Sequence, residues 1–325
     1  MKKTVLAFSR LSPALIERLQ PHVELVVPSP KLGDIATQFA EALPRAHGLI
    51  GAGRPLGEAQ LHNAERLEVI SSISVGYDNY DVDYLTRRGI LLTNTPDVLT
   101  ESTADLAFAL LLGTARRVAE LDAWTKAGNW KRTVEADLFG CDVHGKTLGI
   151  VGLGNIGSAI ARRGRFGFGM RVLYAGNSRK PALEQELGAE YRSLDELLGE
   201  ADFVCLVVPL SAQTRQLIGR RELALMKPSA ILVNISRGAV VDEAALIEAL
   251  QEQRIRGAGL DVYEKEPLAE SPLFALPQAV TLPHVGSATH ETRQAMAFRA
   301  ADNLLAALAG ERPRDLVNPQ AWRQS

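Results

Sequence analysis

Six residues, Gly152-Leu153-Gly154-Asn155-Ile156-Gly157, constrain this chain more than any other stretch. They follow Thr147-Leu148-Gly149-Ile150-Val151, an apolar run that reads as a buried strand. The helical pattern of 158–165 comes next, then a second strand over 170–174. A glycine triplet alone says little. Between a strand and a helix of one βαβ unit it is a dinucleotide fingerprint. Gly152 permits the tight turn, Gly154 lets the backbone approach a pyrophosphate, and Gly157 lets helix and strand pack closely. The helix N-terminus then faces the anion.

A second glycine pattern is a decoy. Gly140-Cys141-Asp142-Val143-His144-Gly145-Lys146-Thr147 has the spacing of an ATP-binding P-loop, but a strand follows Lys146-Thr147 where a helix should.

The rest of the chain alternates in the same way. Strand-like runs at 4–8, 23–27, 48–52, 67–74 and 90–93 alternate with amphipathic stretches at 13–19, 35–43 and 82–87. A long helix is expected from Thr100 toward Trp124, then a loop or arm over 128–145. A second series of strands follows at 147–151, 170–174, 203–208, 230–235, 257–262 and 279–282. One more helix spans 290–308. Strand, helix, strand, repeated, implies an α/β fold of two doubly wound parallel-sheet units. A length of 325 residues suits two such domains.

Composition excludes several classes. A net charge of -2 with interspersed signs leaves no basic stripe for nucleic acid. The apolar run behind Met1-Lys2-Lys3 is too short for a signal peptide, and nothing approaches a membrane span, so cytoplasm is the default. Cys141 and Cys205 share no motif, so neither a disulfide nor a metal site is expected. Cys205 reads as a small core residue of a strand.

Three residues fall at or beyond the carboxyl ends of predicted strands, where open α/β sheets bind ligands: Arg237, Glu266 and His284. Arginine offers a planar fork for a carboxylate. Histidine can move a proton near neutrality, and a carboxylate can orient the imidazole. Each also has a bland reading: a solvated arginine, a loop carboxylate, a structural histidine. His22, His47, His62, His144 and His290 lack the strand-end context.

With these motifs in hand, the chain resembles the D-isomer-specific 2-hydroxyacid dehydrogenase family along essentially its whole length. The matching segments are Gly152–Gly157, Asn234-Ile235-Ser236-Arg237-Gly238, Gly259-Leu260-Asp261-Val262-Tyr263, Glu266-Pro267 and Pro283-His284-Val285-Gly286. Ser74-Val75-Gly76-Tyr77-Asp78-Asn79 matches the family's substrate loop. Together with Thr289-His290-Glu291-Thr292-Arg293 it resembles the bacterial glyoxylate, hydroxypyruvate and 2-ketogluconate reductases within that family.

The resemblance implies a flavodoxin-like substrate domain, 1–99 with 288–325, interrupted by a Rossmann NAD(P)-binding domain, 100–287. It implies a cleft that closes before hydride transfer, and a homodimer held partly by the arm around 120–145. The implied reaction is reduction of small 2-keto acids to D-2-hydroxy acids. The substrate carboxylate would sit on the N–H groups of Val75 and Gly76 with help from Arg237, which also polarises the keto oxygen. His284 would donate the proton, and Glu266 would favour its imidazolium form. Asp261 and the Gly286-Ser287 backbone would help place the nicotinamide, and Pro209, Ile235 and Ser236 would add cofactor contacts. Lys131 to Phe139 contains no second tryptophan, which leaves room for sugar acids. Some relatives are nucleotide-sensing corepressors, and others are phosphoglycerate, lactate or phosphite dehydrogenases. The short tail after the last helix favours the enzyme reading.

Cofactor choice is read from the residues themselves. An NAD-specific fold places an acid about 20 residues beyond the glycines. Here Ala175-Gly176-Asn177-Ser178-Arg179-Lys180 follows the second strand and carries no carboxylate. Asn177 and Ser178 can donate hydrogen bonds, and Arg179 or Lys180 can pair with a 2′-phosphate. NADPH is the expected cofactor, with NADH possible.

Overall fold

Continuous apolar runs bounded by turn residues form strands that are buried on both faces, as parallel sheets require. In the computed structural model, which describes residues 2–322, every strand pairs in parallel. The chain divides into two compact units, Met1–Leu99 with Thr289–Ser325, and Thr100–Ala288.

The first unit holds β1 (Thr4–Ala7), β2 (Glu24–Val26), β3 (Gly48–Gly51), β4 (Val69–Ser72) and β5 (Leu91–Thr93), in the order β2-β1-β3-β4-β5. That is the flavodoxin-like order. The C-terminal helix His290–Leu308 packs on this sheet, burying Met296, Ala297, Ala300, Ala301 and Leu304. Beyond it the chain returns to the open edge of β5. Val317 N–H donates to Leu92 O at 2.8 Å. Asn318, 1% exposed, accepts from Leu92 N at 2.8 Å and donates to Ile90 O at 2.9 Å and to Thr86 Oγ1 at 3.2 Å. A single amide side chain thus stands in for part of a missing strand at a sheet edge.

The second unit holds β6 (Thr147–Val151), β7 (Arg171–Ala175), β8 (Ala189–Tyr191), β9 (Phe203–Leu206), β10 (Ile231–Asn234), β11 (Gly257–Leu260) and β12 (Ala279–Thr281). Their order is β12-β11-β10-β9-β6-β7-β8. Strand order reverses between β6 and β9, the switch point of a doubly wound sheet. Two apolar layers cover it: one includes Leu197, Val204, Leu232 and Leu246, the other Phe108, Leu111, Ile150 and Tyr174. Cys205 is fully buried in β9, and burial pushes its thiol up to about 12. Thr147 opens β6, so no helix follows Lys146-Thr147 and the P-loop pattern is coincidental.

One expectation is corrected. The helix expected from Thr100 toward Trp124 is two helices, Thr100–Ala115 and Val118–Lys126. Arg117 between them is left-handed, with φ 57°. The arm returns to close the first helix, Cys141 N–H donating to Ala115 O at 2.9 Å, while Arg117 pairs with Glu120 at 2.6 Å. Strand β8 escaped the sequence reading because three residues containing a glutamate give no period to detect. Among the described residues no helix is long and apolar enough to cross a membrane.

Asn318→Ala should cost about 2–4 kcal/mol, since it leaves the buried Leu92 N–H and Ile90 carbonyl without partners. Denaturant unfolding of the variant checks this; a midpoint equal to the parent's would show that the Asn318 side chain contributes nothing to the sheet.

Candidate active site

At the carboxyl end of β6 the chain turns at Gly152, φ 102°, and enters the helix Asn155–Arg162 with Gly154 at its N-cap. A Cβ on Gly157 would lie 2.2 Å from Gly152 O, so only glycine lets this helix start so close to the turn. A Cβ on Gly154 would meet nothing within 4 Å. The backbone there borders open space, a cradle for a pyrophosphate at a helix N-terminus. That space is a cavity of about 940 Å³, walled by the β6 turn, the ends of β7, β8 and β9, and the start of the helix Thr100–Ala115. Its size and its amide-lined floor fit a dinucleotide.

The residues expected to contact the cofactor divide. Gly152, Leu153, Gly154, Asn155, Asn177, Ser178 and Pro209 line the cavity. Ile156, Gly157, Arg179, Ile235, Ser236, Asp261 and Gly286 lie outside that lining. Gly157 works from within the helix–strand contact. Arg179 turns its guanidinium to Glu184, with Nη2 2.6 Å from Oε2, instead of offering it to the cavity. Ile235 and Ser236 are buried, 8% exposed each. Sequence reasoning missed Tyr191, Arg192, Ser193 and Thr214, which also line the cavity. The strand-end rule would have found the first three had β8 been read as a strand.

The second cluster stands at the ends of β10, β11 and β12. Asn234, 1% exposed, closes the turn after β10. Its Oδ1 accepts from Ser236 N at 3.0 Å and Ser236 Oγ at 2.7 Å, and its Nδ2 donates to Arg237 O at 3.0 Å. Arg237 leaves this turn in extended conformation, Nη1 donating to Ser236 O at 2.8 Å. Asn234 thereby aims Arg237.

After β11, Glu266 Oε1 accepts from Tyr263 N at 3.0 Å, and Oε2 lies 2.6 Å from His284 Nδ1. Burial raises the pKa of Glu266, but the hydrogen bonds from His284 and Tyr263 and the charges of His284 and Arg237 more than offset it. The carboxyl is held below its ordinary range. His284 sits in the left-handed region, φ 54°, which histidine tolerates better than most residues. A cavity of about 500 Å³ adjoins the pair, walled by Tyr263, Leu268, Phe274 and Pro283. Arg237, Glu266 and His284 therefore form one electrostatic group.

A model of the NAD binding domain of D-isomer specific 2-hydroxyacid dehydrogenases matches residues 108–286. The glyoxylate/hydroxypyruvate reductase B of Escherichia fergusonii is 50% identical over 321 residues, covering 98% of this chain and 99% of the relative. The chain belongs to this dehydrogenase family. Among solved structures, the NADPH-dependent glyoxylate/hydroxypyruvate reductase of Sinorhizobium meliloti, in complex with NADP and malonate, superposes with a TM-score of 0.88 at 34% identity, covering 100% of this chain and 99% of that one. The D-lactate dehydrogenase of Aquifex aeolicus, complexed with NAD and lactic acid, gives a TM-score of 0.88 at 27% identity, covering 97% and 99%. This protein is accordingly an NAD(P)-dependent oxidoreductase.

In this dehydrogenase the backbone around Val75 and Gly76 is held by its carbonyls. Ser74 O accepts from Thr95 N at 2.9 Å, Val75 O from Asn94 Nδ2 at 2.9 Å, and Gly76 O from Ser74 Oγ at 2.6 Å. In a trans peptide the N–H points opposite to the carbonyl. The first two bonds therefore fix the directions of the Val75 and Gly76 N–H groups. Ser72 Oγ lies 2.8 Å from Ser74 Oγ and accepts from Tyr80 OH at 2.9 Å. Because Ser74 spends its one proton on Gly76 O, Ser72 donates to Ser74.

Asp261 anchors a loop of the second cluster. It is 2% exposed and accepts from Val285 N at 2.7 Å and Gly286 N at 2.8 Å. Burial raises its pKa despite those two bonds. It holds the loop that carries His284, and the Gly286 N–H is consumed in doing so. Asp261→Asn replaces one accepting oxygen with a donor facing a donor, a loss of about 1–3 kcal/mol locally. Amide hydrogen exchange should quicken at Val285 and Gly286, and unchanged protection there would show the two bonds to be dispensable.

Proposed function

We propose that this dehydrogenase reduces small 2-keto acids, namely glyoxylate, hydroxypyruvate and 2-ketogluconate, to D-2-hydroxy acids, with NADPH preferred and NADH accepted less well. The 2.6 Å contact between His284 Nδ1 and Glu266 Oε2, beside Arg237 at the strand ends, carries the reading. A 50% identical relative named glyoxylate/hydroxypyruvate reductase B supports the substrate class.

A reduced nicotinamide, when bound, supplies the hydride; the chain supplies everything else. The N–H groups of Val75 and Gly76 receive the substrate carboxylate, and Arg237 adds a charge-assisted hydrogen bond. Arg237 also faces the keto oxygen, where negative charge develops as the hydride arrives. His284 donates a proton from Nε2 to that oxygen, because Nδ1 is engaged by Glu266. Glu266, ionised throughout the neutral range, orients the ring through Nδ1. Oxidation of the hydroxy acid runs the same steps backward, with His284 as base.

For the cofactor, Asn177, Ser178 and Lys180 line the cavity after β7 and present donors and a cation where an NAD-specific fold carries an acid. The S. meliloti relative, named NADPH-dependent and solved with NADP, supports this choice. We also infer a homodimer, supported by the exposed Trp130, Val134 and Phe139 on the arm.

A panel of 2-keto acids assayed with both reduced cofactors tests the reading. NADPH should give the higher kcat/KM with all three substrates, and added salt should narrow the gap by screening. Equal efficiency with both cofactors would refute the preference.

His284→Ala should lower turnover by about 10²–10⁴ and leave dinucleotide affinity nearly unchanged. Glu266→Gln keeps an acceptor but removes the anion that orients the ring, so turnover should fall while dinucleotide affinity holds. Steady-state kinetics with a dinucleotide titration check both variants, and an undiminished kcat in Glu266→Gln would remove Glu266's charge from the mechanism.

A further inference from the structure

Arg179 leaves the turn after β7 with its guanidinium committed. Nε and Nη2 donate to the two oxygens of Glu184, at 3.1 and 2.6 Å. Glu184 also accepts from the Tyr174 hydroxyl at 2.6 Å, and that hydroxyl accepts from Lys180 N at 2.7 Å. One carboxylate in the helix Pro181–Leu187 thus ties that helix to the strand and to the turn. The hydrogen bonds from Arg179 and Tyr174 hold the Glu184 carboxyl down to about 2, so it is an anion at any working pH. Asn177, Ser178 and Lys180 line the dinucleotide cavity, and Arg179, between them in sequence, does not.

We infer that Glu184 is a specificity-determining residue, an internal anion that competes with the 2′-phosphate of NADPH for Arg179. The inference rests on the proposed reception of that phosphate by the turn at 177–180. A guanidinium binds an oxyanion best through a bidentate edge, and the edge formed by Nε and Nη2 is already filled by Glu184. A phosphate gains that edge only by displacing the carboxylate. NADH, with ribose hydroxyls and no phosphate, makes no such demand. Glu184 therefore lowers affinity for NADPH alone and sets a ceiling on cofactor selectivity. The Arg179 side chain is 65% exposed, so solvent screens the pair and the competition is modest, about two- to fivefold in KM.

Glu184→Gln tests this, because glutamine has the same shape and can still accept from Tyr174. KM for NADPH should fall about two- to fivefold, with kcat and the NADH constants unchanged. Structural damage would weaken both cofactors and cannot produce a selective gain. Calorimetric titration of the variant with NADP and with NAD should show the same selective tightening without turnover. In an Arg179→Ala background the gain should vanish. An unchanged or raised KM for NADPH in Glu184→Gln would overturn the inference, the raised value showing that Glu184 orients Arg179 instead. A gain that survives Arg179→Ala would overturn it too, by reducing the effect to repulsion between carboxylate and phosphate. The underlying reading fails separately, when the unmutated protein shows no preference for NADPH and neither Arg179→Ala nor Lys180→Ala alters the cofactor ratio.

Discussion

Parallel pairing of β6 with β7 on one side and β9 on the other is the constraint from which the second unit's site follows. In a parallel sheet all carboxyl ends meet one edge, and at the switch point the connections leave on opposite faces. A crevice opens there without any side chain having to be removed. The glycines after β6 bring backbone to the floor of that crevice, and the turns after β7 and β9 wall it. The Arg237, Glu266 and His284 cluster obeys the same rule on the next three strands, at the ends of β10, β11 and β12.

Buried polar side chains then fix the loops that the sheet only brings together. Asn234, Asp261 and Asn318 are each almost fully buried, and each satisfies backbone groups that the ladder cannot reach. Each replaces a missing strand or turn with a side chain whose own rotamer is locked by burial. This explains why functional groups on loops can be held closely: Arg237 hangs from Asn234, and the His284 loop hangs from Asp261. In the first unit the Thr95 N–H and the Asn94 side chain hold the Ser74 and Val75 carbonyls, so that the Val75 and Gly76 N–H directions follow.

Charge is deployed differently in the two parts of the second unit. Beside His284 an acid is paired with an imidazole, the group that gives up a proton in the proposed mechanism, so there the coupling belongs to the proposed reaction. Beside Tyr174 an acid is paired with an arginine that never titrates, so the coupling concerns only which anion the arginine serves. Neighbouring surface pairs such as Arg171 with Glu190 and Arg192 with Glu200 stitch β7, β8 and the following helix together. These pairs are exposed and contribute little individually.

Much of this was legible in the sequence because it depends on local pattern. Alternation of strand-like and helical runs dictated two parallel α/β units, the glycine spacing dictated the dinucleotide turn, and strand-end position singled out Arg237, Glu266 and His284. What the sequence left open depends on distance through space. Short β8 had too few residues to show a period, and the helix break at Arg117 needed the arm's return to Ala115 to close it. The turn of the Asp261 carboxylate inward to two N–H groups 24 and 25 residues away leaves no local signal in the sequence. Arg179 looked free because no acid stands beside it in the turn; the helix that follows carries Glu184 back within 2.6 Å. Local periodicity determines which elements form and which backbone bends. Only packing decides which polar partners meet, because a charge pairs with whatever the folded chain brings within hydrogen-bond reach.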